Sequence, residues 1–184
     1  MAKKALLMGM IFFFIASIIP AQDAKPLPAD QIMKEAYAKA KAGDKNVFLI
    51  FHATWCSWCK RLDKAMQSDE LKRIFEKNFE ITHLDVMERG EKIAQFENAG
   101  GKELMDKLGG AKSGIPFYAF LTPEGEMLAN SNVMPKDQNI GYPGVMEEID
   151  AFMKIVTTGA PKMTEAEKKT IISYLKKNAP KPIE

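Results

Sequence analysis

Trp55-Cys56-Ser57-Trp58-Cys59-Lys60 holds both cysteines of the 184-residue chain, three residues apart. Before it, Asn46-Val47-Phe48-Leu49-Ile50-Phe51 is an almost continuous apolar run of strand length. After it, Cys59, Leu62 and Met66 recur at helical spacing. The pair therefore falls where a buried strand turns into a helix. The first N–H groups of a helix lack backbone partners and carry partial positive charge, which favours an anion. A cysteine placed there has a lowered pKa, and only the thiolate attacks a disulfide or binds a soft metal. Cys59, nearly one turn on, shares that face and is within reach of a disulfide with Cys56. Redox chemistry and metal binding are both open at this level.

Composition sets the class. With 46% apolar and 27% charged residues, the chain reads as one globular domain rather than a disordered or fibrous one. Lys3 and Lys4 precede an apolar run from Ala5 to Ile19, followed by Pro20-Ala21-Gln22. A basic start, a hydrophobic stretch of about 15 residues and a small residue at its end have the form of a secretory signal peptide over 1–21. A membrane anchor retained at this end would want about 20 apolar residues. Without Lys3 and Lys4 the 26 basic residues become 24, against 24 acidic ones. A chain so close to neutral has no basic field for nucleic acid. Export implies a periplasmic or secreted protein in an oxidising compartment, where disulfides persist. A bridge between residues three apart closes too small a loop to restrain much unfolded-chain entropy, so reactivity rather than stabilisation is its expected use.

Along the chain, residues 22–28 form a proline-containing linker and 29–184 a single domain. Ala29–Ala42 reads as a helix with Ile32, Met33, Ala36, Tyr37 and Ala40 on one face, ended by Gly43-Asp44. A strand over 47–51, the cysteine turn and a helix to about Gln67 follow. Another helix begins near Ser68, and Phe79–Val86 reads as a second strand. Strand, helix and strand at this spacing predict a parallel crossover unit. Residues 88–112 carry the weakest pattern, with a short helix over Lys102–Leu108 between Gly-Gly pairs. Gly114–Leu121 is an apolar strand, Thr122-Pro123-Glu124-Gly125-Glu126 a turn, and Met127-Leu128-Ala129 the returning arm of a hairpin. A polar loop over 130–143 precedes helices from Gly144 to about Thr157 and from Thr164 to Asn178. The last opens with the capping-box pattern Thr164-Glu165-Ala166-Glu167.

The cysteine motif after an apolar strand, with Gly114-Ile115-Pro116 ahead of a hairpin about 55 residues later, resembles the thioredoxin superfamily. Within it the chain is most similar to exported thioredoxin-like thiol–disulfide oxidoreductases, over roughly residues 29–152. The resemblance implies an α/β fold with a central mixed sheet flanked by helices, with the 88–112 segment and the C-terminal helix over 164–178 as additions. It implies that Cys56 is the exposed attacking thiol and Cys59 the shielded resolving one. Exchange would pass through a mixed disulfide on Cys56 and need no cofactor beyond the redox pair. Pro116 matches the family's cis-proline, which faces the dithiol, while Ile115 would pair its backbone with an extended substrate. Trp55, Ser57 and Trp58 are the accompanying candidates for substrate contact, with core packing the alternative for Trp55.

The chain departs from the family in one respect. Thioredoxins carry a buried Asp six residues before the first cysteine, and Ile50 stands there. His52 and His83 are the candidates to take over proton transfer or to lower a thiol pKa, because histidine titrates near neutrality, with an ordinary surface or core histidine as the alternative for each. The resemblance implies protein thiols and disulfides of the cell envelope as partners, together with an upstream electron donor, and a monomer. The dipeptide Ser57-Trp58 brings no charge to the sulfur, so the expected potential lies nearer ~−270 mV than the ~−120 mV of strong oxidants. Against this stands a copper carrier of the same fold, using Cys56, Cys59 and a His as ligands. That reading is disfavoured by the proline beside the dithiol and by the short cysteine spacing. A purely structural domain is a third reading, which the intact cysteines disfavour.

Overall fold

The computed structural model describes residues 25–180, so the expected signal peptide over 1–21, the first residues of the expected linker and the last four residues of the expected domain lie outside the described residues. The elements are α1 (Ala29–Ala42), β1 (Asn46–His52), α2 (Ser57–Met66), α3 (Lys72–Asn78), β2 (Phe79–Asp85), α4 (Lys92–Phe96), α5 (Gly101–Met105), β3 (Phe117–Leu121), β4 (Met127–Asn130), β5 (Asn132–Met134), β6 (Gln138–Asn139), α6 (Met146–Gly159) and α7 (Glu165–Lys177). A four-stranded sheet runs β2-β1-β3-β4. β1 pairs with β2 in parallel and with β3 antiparallel, and β3 pairs antiparallel with β4. The crossover unit and the hairpin thus form as the sequence predicts, and the sheet is mixed.

β1 is central, and its middle five residues are all buried. Alternation along the strand sends Val47, Leu49 and Phe51 to one face and Phe48 and Ile50 to the other. On the first face they meet Met33, Ala36 and Ala40 of α1 and Met105 of α5. On the second they meet Leu62 and Met66 of α2, Phe75 of α3, Phe152 of α6 and Ile171 of α7. A strand covered on both faces reads as an unbroken apolar run, which is why 47–51 is so legible. Phe48 is the hub of the second face, with the Phe120 ring stacked at 4.5 Å between centroids and Phe79 and Tyr118 edge-on at 5.6 Å. Burial pushes the Tyr118 hydroxyl well above its ordinary pKa, and it finds no partner among the described residues.

Two stretches differ from the sequence reading. The polar loop over 130–143 contains a small antiparallel ribbon, β5–β6, which strand patterning misses because its strands are three and two residues long. The short helix expected over Lys102–Leu108 begins one residue earlier as α5 and ends in a π-helical turn, Asp106–Gly110. The 88–112 segment also ties other parts of the chain down. The buried Asn98 side chain accepts from the Asp85 N–H at 2.7 Å and donates to the Leu27 carbonyl at 2.8 Å. At the C-terminus, Thr164 and Glu167 cap α7 reciprocally, and Glu167 also takes a 2.7 Å ion pair from Lys77 of α3. Those contacts, led by the Lys77 hydrogen bond, hold the Glu167 carboxyl down at about 2.

Candidate active site

Cys56 is the N-cap of α2, and Cys56 and Cys59 are joined in a disulfide. The Cys56 sulfur accepts a hydrogen bond from the Cys59 backbone N–H at 3.1 Å, so one unpaired donor of the helix start points at it. This is the arrangement that would stabilise a thiolate on Cys56 once the bridge is reduced. Ala53 and Ile115 pack against the two sulfurs. The Ile115–Pro116 peptide is cis, and the Ile115 carbonyl oxygen lies 3.5 Å from Cys56 Sγ. The motif and the Gly114-Ile115-Pro116 turn, 59 residues apart at their contact, therefore form one site.

The expected exposure of Cys56 needs correcting for this disulfide form. Cys56 is 4% exposed and Cys59 1%, so the order holds but neither is an open thiol. The cause is the packing of Ala53 and Ile115 over the bridge. Next to the pair, over Ile115 and Trp58, lies a cleft of about 460 Å³ lined by Trp58, Ile115, Pro116, Ile140, Tyr142 and Val145, among others. Trp58 is 47% exposed and stacks on Tyr142, with centroids 6.2 Å apart. Ser57 is exposed and lines the depression on the other side of Trp58. Trp55 is not core and does not line the cleft. Its indole N–H donates to the Met87 carbonyl at 2.8 Å, and the Arg89 guanidinium sits 3.8 Å above its ring.

Ile50 is fully buried among apolar side chains, so no acid replaces the missing aspartate at that position. A polar cluster lies one step further along the sheet. His52 and Asp85 are register partners on β1 and β2, with Nε2 and Oδ1 3.5 Å apart. His83, opposite Ile50, places Nε2 2.9 Å from Asp63 Oδ1. Asp63 also lies 4.0 Å from His52 Nδ1, and the two imidazoles are 5.0 Å apart. Burial depresses the pKa of His52, with His83 acting in the same sense and Asp85, Asp63 and Glu88 opposing. Burial likewise raises the Asp85 carboxyl, with His52 opposing.

Sequence reasoning found both histidines and missed their partners. Asp63 stands four residues after Cys59, one helical turn along the same side of α2, which is the signal that could have found it. Glu88 carries no such signal. It is buried, and its carboxylate accepts from the Thr54 N–H at 2.5 Å and the Thr54 hydroxyl at 2.9 Å, bracing the turn that leads into Cys56. Among the described residues, no group of three or more His, Cys, Asp or Glu side chains is placed to hold a metal ion. Both histidines pair with Asp63 and Asp85 in this disulfide form.

Residues 29–123 match the thioredoxin-like family, and the chain belongs to that family. In overall structure it is similar to a disulphide isomerase from Xylella fastidiosa Temecula1, at 22% identity over 81% of this chain and 89% of that one, with a TM-score of 0.48. It is also similar to an oxidoreductase named DsbH, at 20% identity over 86% of this chain and 94% of that one, with a TM-score of 0.44. An uncharacterized protein of Caenorhabditis elegans is 26% identical over 132 residues, 66% of this chain. The chain spans only 16% of that protein's length.

Proposed function

We propose that this protein is a thiol–disulfide oxidoreductase that reduces or exchanges disulfides of exported proteins outside the cytosol. The observation that carries the reading is the Cys56–Cys59 pair at the start of α2, with Cys56 Sγ 3.5 Å from the carbonyl of Ile115, a residue that lines an apolar cleft. In the reduced protein the Cys56 thiolate attacks one sulfur of a substrate disulfide. That bond breaks, the other substrate sulfur leaves as a thiolate and takes a proton, and a mixed disulfide forms on Cys56. Cys59, deprotonated, then attacks the Cys56 sulfur and releases the second substrate thiol. Two electrons pass to the substrate, and the protein is left with the Cys56–Cys59 disulfide. An upstream dithiol donor must return those electrons for the next turnover.

The proton that leaves Cys59 needs an acceptor, and Ile50 is not one. Asp63, four residues on from Cys59 along α2, belongs to a titratable cluster with His52, His83 and Asp85. We assign it the role of the family's missing acid. The leader-like sequence over 1–21 supports an envelope location, and the near balance of charge speaks against nucleic acid. Ser57 and Trp58 bring no charge to the sulfur and no hydrogen bond to it, which supports a reductant rather than a strong oxidant.

Reduction of insulin with dithiothreitol as donor tests the reading. The wild-type chain should accelerate precipitation of the reduced insulin chains, Cys56→Ser should abolish the effect, and Cys59→Ser should accumulate mixed disulfides. Equilibration with glutathione buffers should give a potential nearer ~−270 mV than ~−120 mV. Failure of the wild type to speed insulin reduction would refute the assignment.

A further inference from the structure

The cleft over Ile115 and Pro116 ends at Trp58 and Tyr142, and a second depression of about 530 Å³ begins on their other side. Its character is different. Ser57, Trp58, Lys60, Arg61, Lys64 and Tyr142 line it, with the rest of its wall supplied by Ala65, Tyr174 and Asn178, and no carboxylate is present. Among the described residues, none of Lys60, Arg61 and Lys64 has an acidic partner within ion-pair distance. Among the described residues seven lysines meet a carboxylate and many others do not, so what sets these three cations apart is that they share one depression whose lining holds no acid. Arg61 is built into the wall. It donates to the Asn178 carbonyl at 2.8 Å, and its guanidinium lies 5.0 Å from the Tyr142 ring centroid and 5.9 Å from that of Trp58. Lys60 and Lys64 are exposed, and their spacing of four residues places them on neighbouring turns of α2.

In a chain whose charges otherwise nearly cancel, three cations that meet no carboxylate among the described residues form a local field next to Trp58 of the redox motif. From this we propose that the protein selects substrates in which acidic residues flank the reactive cysteine, with the acidic segment seated on Lys60, Arg61 and Lys64. This deepens, and rests on, the oxidoreductase reading above. The apolar cleft takes the residues on one side of the substrate cysteine, over Ile115 and Pro116. The Trp58–Tyr142 stack divides the two regions, and the cationic depression takes Asp or Glu on the other side. Attraction between a charged cleft and an oppositely charged partner acts chiefly on the encounter rate and on discrimination, and it falls with ionic strength.

The test is single-turnover reduction by pre-reduced protein of three short peptides whose one cysteine is a mixed disulfide with 2-mercaptoethanol. The cysteine is flanked by aspartates, serines or lysines. Flanking charge also alters the substrate thiol itself, so each rate is divided by the rate of dithiothreitol with the same peptide. At about 0.02 M salt the normalised Asp-to-Lys ratio should be about 10 or more, and it should fall toward 1 at about 0.5 M, where screening is short-ranged. In the double variant Lys60→Gln/Lys64→Gln the ratio should drop several-fold at low salt. Reading a ratio cancels any change the variant makes to the intrinsic reactivity of the dithiol. Equal normalised rates for the three peptides, or a ratio that the double variant does not lower, would overturn the proposal. Hydroxyethyl disulfide, small and uncharged, serves as control. Turnover of it without charge preference rejects only the acidic-substrate proposal, whereas inertness toward it removes the oxidoreductase reading and this proposal together.

Discussion

At the scale of single residues, the two sulfurs are chemically alike and positionally different. Cys56 is the N-cap and receives the Cys59 N–H, while Cys59 lies inside the first turn and is the more buried of the two. A helix start stabilises negative charge on the cap position more than on a residue within the turn. In the reduced protein a limiting amount of iodoacetamide should therefore modify Cys56 first, with Cys59 labelled only after denaturation. Mass spectrometry of the peptides carrying each cysteine would show it, and prior labelling of Cys59 would reverse the assigned roles. The residues around the sulfurs divide likewise. Trp58 shapes the cleft, while Trp55 is committed to Met87 and Arg89 on the far side of the turn.

At the scale of elements, α6 sets how closely the second helical layer approaches the sheet. Gly159, its last residue, faces Phe120 of β3 so closely that a Cβ there would lie 2.5 Å from the ring's Cδ1 and 2.7 Å from its Cγ. Phe120 cannot retreat, because its ring stacks on Phe48 and contacts Phe79. Gly159→Ala should consequently cost about 1–3 kcal/mol, as overpacking in a filled core does. Urea unfolding would measure it, and a variant as stable as the parent would show that α6 can shift outward. The same layer supplies one wall of the site, since Val145 and Glu148 at the start of α6 line the cleft beside Pro116. Glu148 accepts from the Gly144 and Val145 N–H groups, which pins the loop carrying Tyr142 to that helix.

At the scale of the whole molecule, the polar cluster between α2 and the ends of β1 and β2 links stability to pH. His52 is 23% exposed at its side chain and faces Asp85 and His83 of β2, Asp63 of α2 and Glu88 of the following loop. Its folded pKa lies below the unfolded value of 6.5, so below about that pH the unfolded chain binds the proton that the fold resists. Stability from this group is present above 6.5 and is lost as pH falls through the window beneath it. Asp85 acts in the opposite sense, because its raised folded pKa makes the fold hold a proton that the unfolded chain releases above 3.8. That contribution is present below 3.8 and is lost as pH rises through the window above it. Between pH 7 and 5.5 the histidine should dominate. The melting temperature should fall over that interval, and His52→Gln should flatten the fall. An identical pH dependence in the variant would show that His52 is not the titrating group.

How much of this is legible in the sequence follows from how far apart the interacting residues lie. The buried strand at 47–51, the cysteine turn, the capping box at Thr164 and the hairpin at 117–130 all announce themselves within a few residues, because they are periodicity, backbone and capping effects. They determine by themselves the main elements outside 88–112 and 130–143, the parallel crossover and the place of Cys56 at a helix start. Tertiary structure alone decides the rest. It brings the Ile115 carbonyl to within 3.5 Å of Cys56, and it gives His52 and His83 to Asp63 and Asp85 rather than to the sulfurs. It also carries Tyr142, from a loop with no readable pattern, to a stack on Trp58 and a place beside Arg61. Such pairings depend on sheet register and helix packing among segments tens of residues apart, and no local pattern encodes them.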